Sequence, residues 1–188
     1  MKPACKPIII LAACLTSPLA QAHVNGLATG LLSGLTHPLT GLDHLAALIL
    51  SGLLIGRLPR GRSLALAGLI GALGLGAEGG ILLGAQAGVE YLVLLSLPVL
   101  FAFQWIRKVD QLKLAVTVMG LFMVAHGWAH GVEVHGLTQA FVSGFLLSSL
   151  FVAGVSASIS HHMSSNAEQT HHLAPQGTLS TAERSHLA

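Results

Sequence analysis

From Leu42 onward the sequence runs through five apolar stretches, 42–56, 64–83, 89–106, 114–128 and 137–159, parted by short loops. Few structures accept such a series. A soluble domain carries about 25% charged residues, whereas this chain is 9% charged and 53% hydrophobic. In a bilayer every backbone N–H and C=O must be satisfied within the protein, so each stretch is expected to be a helix. The fold class that follows is all-α, a polytopic transmembrane helix bundle, and lipid is its first partner. The formal net charge of +2 is small and scattered. That excludes the basic footprint a nucleic-acid partner needs.

Residues 1–22 read as a cleaved secretory signal. Lys2 and Lys6 make the basic start, Ile8 to Leu15 a short apolar core, and Pro18 precedes the small-x-small site Ala20-Gln21-Ala22. Cleavage there exposes His23, whose amine and imidazole can chelate a metal. Leu11-Ala12-Ala13-Cys14 offers a competing reading as a lipoprotein box. Cys5 and Cys14 both lie in this leader. The mature chain is therefore expected to hold any metal through nitrogen and oxygen ligands, not thiolates. The transmembrane domain is then 23–160. Residues 161–188 form a polar tail, expected to be disordered, with the pairs His161, His162 and His171, His172.

The first part of the domain is interrupted. Val24 to Leu35 is apolar but short for a crossing. Thr36-His37-Pro38-Leu39-Thr40-Gly41 is expected to break it. Helix resumes near Leu42, with Thr40 as cap and Asp43 completing a capping box. The loops 57–62 and 107–113 carry three Lys/Arg each, and those at 85–88 and 129–136 carry none. The positive-inside rule places the two basic loops in the cytoplasm. A periplasmic His23 then leaves one crossing before Arg57. This gives five crossings plus an interrupted or re-entrant segment at 24–35, with the C-terminus cytoplasmic. If 24–35 does span, there are six crossings and the orientation inverts. On the span 64–83, small residues recur at Gly68, Ala72, Gly76, Gly80 and Gly84, a pattern that lets another helix approach closely.

Against this apolar background stand a few polar residues. His126, His130 and Glu133 follow i, i+4, i+7 spacing and share one helical face. His37-x5-Asp43-His44 precedes the second crossing. Four crossings separate the two motifs, and an even number returns both to one side. Glu78 lies in the half of its span nearer that side, as a buried carboxylate, and Glu90 begins the next span there. Imidazoles and carboxylates at a membrane boundary are costly to bury. Hydrogen bonds from the histidines to carbonyls between helices explain one cluster as packing. Two distant motifs on one face point to a divalent metal instead, with His37, Asp43, His44, His126, His130, Glu133, His23, Glu78 and Glu90 as candidate ligands or path residues. Nitrogen and oxygen donors suit nickel, cobalt, copper or zinc.

His37-x5-Asp43-His44, with His126-Gly127-x-Ala129-His130-Gly131-x-Glu133 much later, resembles the HupE/UreJ family of membrane proteins. The resemblance covers the leader, the histidine after it, both motifs and the spans. This chain has Ala125 where the family usually has Phe, and Leu48 where it often has Met; neither removes a ligand. The resemblance implies a secondary permease of the bacterial inner membrane for nickel or cobalt, supplying hydrogenase or urease through cytoplasmic metallochaperones, and not an enzyme. No nucleotide-binding loop is seen. Two other readings stay open. One is an intramembrane metal-dependent hydrolase, although no His-Glu-x-x-His occurs. The other is a metal-binding accessory or sensor protein without flux.

Overall fold

The computed structural model describes residues 30–134 and 138–173, with side chains through Asn166. The leader, His23, the residues after Leu173 and the side chains of His171 and His172 lie outside this range. The described chain is six helices: α1 Gly30–Thr40, α2 Leu42–Gly56, α3 Arg62–Leu83, α4 Val89–Phe103, α5 Val109–Glu133 and α6 Thr138–Leu173.

The break in the first segment is sharper and later than the sequence suggests. α1 continues through His37 and Pro38 to Thr40. The Thr36 hydroxyl donates to the carbonyls of Leu32 and Ser33, and that of Thr40 to His37. These bonds flank Pro38, which has no N–H to give the Gly34 carbonyl one turn back. The chain bends by 78° between α1 and α2. Gly41, in extended backbone, is the N-cap of α2 and gives no side-chain cap. The expected capping box is therefore absent: Thr40 bonds backward to His37, and Asp43 bonds to its neighbour His44.

α3, α5 and the Thr138–Asn166 part of α6 are each long and apolar enough to cross a membrane, and the bent α1–α2 pair passes the same test jointly. α4 has 15 residues, about 22 Å at 1.5 Å per residue, which is short of a bilayer core of about 30 Å. Glycine contacts fix the directions. A Cβ on Gly76 would meet Val124 and Trp128, and one on Gly80 would meet Trp128 and Val132. Both numbers rise together, so α3 and α5 run parallel, and α4 returns the chain between them. Gly52 likewise meets Ala153 and Ser156, and Gly56 meets Ala157 and Ser160, so α2 runs parallel to α6. Short loops after α2 and α5 make their successors antiparallel. From α2 to α6 the chain thus reverses at every loop, as five passes require.

The expected small-residue repeat works at its centre only. Gly76 and Gly80 seat α5, whereas Gly68 has open space beside it. Leu32, Leu64, Leu75, Leu82 and Phe151 are exposed on the outer surface, as a lipid-facing bundle requires. Serines and histidines are inside instead: Ser51, Ser96, Ser149, His126 and His130 are buried. α6 also runs past residue 160, so the tail expected to be disordered begins as helix. From Val155 to Ala174 there is no glycine or proline to stop it. The hydroxyls of Ser164 and Ser165 bond back to Ser160 and to His161 and His162.

Candidate metal centre

The histidine motif expected to emerge into the loop at 129–136 is helical to Glu133. That keeps His126, His130 and Glu133 on one face, one turn apart. Gly127 and Gly131 lie between them. A Cβ at Gly127 would sit 2.0 Å from the Leu73 carbonyl oxygen, and one at Gly131 2.1 Å from that of Ala77. The glycines draw α5 against α3 and fix where the imidazoles stand.

The bend at Gly41 brings the other motif to them. His37, near the end of α1, places Nε2 2.7 Å from His130 Nδ1 and 3.5 Å from Glu133 Oε2. These three residues offer ligand atoms that all lie within 4.8 Å of one another. Metal–nitrogen bonds of about 2.1 Å hold neighbouring donors about 3 Å apart, so small side-chain rotations close the triad on an ion. His44, in the first turn of α2, meets the His130 ring at a 50° tilt with ring centroids 4.0 Å apart, and its ring lies 5.2 Å from that of His126. Phe145 of α6 packs on His130, and Phe141 on His37. His130 is thus the hub, in contact with His37 on one hand and His44 on the other.

Second partners set the tautomers. His44 Nδ1 is 3.0 Å from Asp43 Oδ1. A carboxylate only accepts, so Nδ1 carries the proton and Nε2 is a bare lone pair, the form a metal takes. His126 Nε2 is 2.7 Å from Ser96 Oγ, whose hydroxyl donates to the Val93 carbonyl. His126 therefore donates from Nε2 and keeps its lone pair on Nδ1. Ser96 and the two phenylalanines touch the histidines, and sequence reasoning missed them. A serine within the apolar run Leu94 to Leu97 was the available signal for the first.

Burial grades inward. Side-chain exposure is 40% at Glu133 and 15% at His37, 14% at His44 and 12% at Asp43, and residue exposure is 2% at His126 and His130. The arrangement has a wet acidic mouth and a dry imidazole interior. Two expected members are elsewhere. Glu78 is exposed on the outer face of α3, so it is not the buried carboxylate its position suggested, and Glu90 is exposed in the first turn of α4. The period of α3 turns Glu78 away from the face that Leu73, Ala77 and Gly80 bury. Glu90 sits at a helix N-terminus, where the helix dipole favours an acid.

The opposite end of the bundle is basic. Arg57 Nη1 donates to the Gln104 carbonyl, and Gln104 Nε2 donates to that of Leu50. The first basic loop is thereby tied to the end of α4, just before the second, at the end away from the histidines. Arg62 Nη1 donates to His161 Nδ1 there as well.

The sequence profile described as HupE / UreJ protein matches residues 11–182. Protein HupE of Rhizobium leguminosarum bv. viciae is 32% identical over 152 residues, covering 76% of either chain. No solved structure matches. A profile match over nearly the whole length and a relative of this identity lead to one conclusion: the chain belongs to the HupE/UreJ family.

Proposed function

We propose that this protein is a secondary permease that takes up a divalent transition metal, nickel or cobalt, for metalloenzymes such as hydrogenase or urease. The observation that carries the reading is the convergence of His37, His130 and Glu133 at the mouth of a burial gradient that ends on further imidazoles. The ion is the substrate. Glu133 supplies negative charge where solvent still reaches. His37 and His130 replace waters of the hydrated ion. His44 and His126, held by Asp43 and Ser96, are the next donors inward. Imidazole and carboxylate suit nickel and cobalt, which accept borderline nitrogen ligands.

In this reading residues 1–22 are removed and His23 begins the mature chain on the periplasmic side. The basic loops lie in the cytoplasm of an inner-membrane protein. His161, His162, His171 and His172 are on the receiving side, where cytoplasmic metallochaperones collect the ion.

Purified protein in sealed vesicles tests the proposal. Nickel entering against an unloaded control supports it. Stoichiometric nickel binding with no flux would make the protein an accessory or sensor instead.

A further inference from the structure

Four buried side-chain polar atoms have no hydrogen-bond partner among the described residues: His44 Nε2, His130 Nε2, Ser149 Oγ and Ser51 Oγ. Buried polar groups are almost always satisfied, and each exception needs a reason. The first three belong to residues lining one cavity, about one water wide, which His126 also lines. Its walls come from α2, α5 and α6, with Pro38 of α1 and Leu73 of α3 completing them. Ser149 is fully buried. Its hydroxyl does not bond to the carbonyl one turn back, as those of Ser143, Ser156 and Ser158 do. An unpartnered hydroxyl lining the same cavity as two unpartnered imidazole nitrogens is the chemistry of a ligand set.

We infer that this cavity is a second coordination station for the transported ion, with His44 Nε2, His130 Nε2 and Ser149 Oγ as its ligands. The inference rests on the metal-uptake reading and extends it. His130 makes the transfer. Its neutral ring offers one lone pair at a time, so a single ion occupies one station at a time. The tautomer switches between stations: Nε2 carries the proton while Nδ1 holds the ion with His37 and Glu133. As the ion leaves, Nδ1 takes a proton from water at the Glu133 mouth, and the ion arriving at Nε2 displaces the proton held there. One proton enters and one is released per transfer. Ser149 suits departure as well as arrival. A neutral hydroxyl is a weak ligand, and conduction requires binding weak enough to leave. Ser51, the fourth unpartnered group, stands just before Gly52, whose close neighbour is Ala153. Ala153 is one turn of α6 beyond Ser149, toward the basic end.

The test uses the full chain with Cys5 and Cys14 replaced by serine throughout, with and without Ser149→Cys, purified and titrated with Co2+ alone. A thiolate touching the ion produces a sulfur-to-cobalt charge-transfer band in the near ultraviolet. We expect that band in Ser149→Cys, its absence from the protein that keeps Ser149, and its loss when His130→Ala is added. Co2+ bound at the unsubstituted stoichiometry with no band overturns the inference. Should the cysteine variant fail to fold, Ser149→Ala decides. Vesicle uptake slowed by about 10–100-fold, the usual scale for a lost supporting contact, upholds the station, and an unchanged rate overturns it. An unsubstituted protein that binds Co2+ yet moves none sinks the transport reading, while the band still decides the station. No Co2+ binding at all overturns both.

Discussion

At the residue scale, what holds a ring in one tautomer is its partner: Asp43 for His44 and Ser96 for His126. Asp43→Asn keeps the shape beside His44 but removes the charge that favours a protonated Nδ1. Nickel affinity of the purified protein should fall by about 10–100-fold, the range for such supporting residues. Glu133→Gln should weaken affinity similarly without abolishing uptake, because glutamine still offers a carbonyl oxygen. His130→Ala should abolish uptake at matched membrane abundance, since the hub contacts both His37 and His44. Radiolabelled nickel uptake checks both, and normal uptake by His130→Ala would return the cluster to a packing role. Acid should reduce uptake in the unsubstituted protein, because imidazolium has no lone pair and metal capture must release the proton.

Two glycines of α5, seven residues apart, separate packing from propensity at the element scale. A methyl at Gly127 would meet the Leu73 backbone at 2.0 Å, whereas one at Gly120 meets nothing within 4 Å. Backbone cannot rotate aside, so Gly127→Ala must push α5 from α3. We expect a loss of about 1–3 kcal/mol, the usual cost of overpacking, and displaced imidazoles. Gly120→Ala should leave stability unchanged or raise it by up to about 1 kcal/mol. Thermal unfolding in detergent compares them, and equal behaviour of the two variants would refute the close α3–α5 packing.

For the whole molecule, the histidine end and the basic end are opposite, and this polarity fixes the sidedness expected in a membrane. A reporter active only in the periplasm, fused after Ala188, should be silent. An active reporter would invert the protein and place its metal mouth in the cytoplasm. Uptake should remain measurable after removal of 161–188. The truncation removes the Arg62–His161 contact but leaves all of the His37, His44 and His130 groups. Complete loss of uptake in an inserted truncation would place the tail in the ion's path.

Local sequence was enough for much of this. Apolar length and the scarcity of charge dictate membrane helices, because a bilayer leaves unsatisfied backbone no alternative. The i, i+4, i+7 spacing of His126, His130 and Glu133 puts them on one face in any helix, and counting crossings puts His37 and His44 at the same end. The rest depended on contacts between distant residues. Whether Glu78 faces the core or the lipid depends on which side of α3 its glycines press against α5, and no local pattern contains that partner. The bend at Gly41 aims His37 at His130 across 93 residues of chain. Only the packed structure shows that Ser96 holds His126 and that Ser149 faces the cavity with nothing to bond, because a serine in an apolar helix usually bonds to its own backbone.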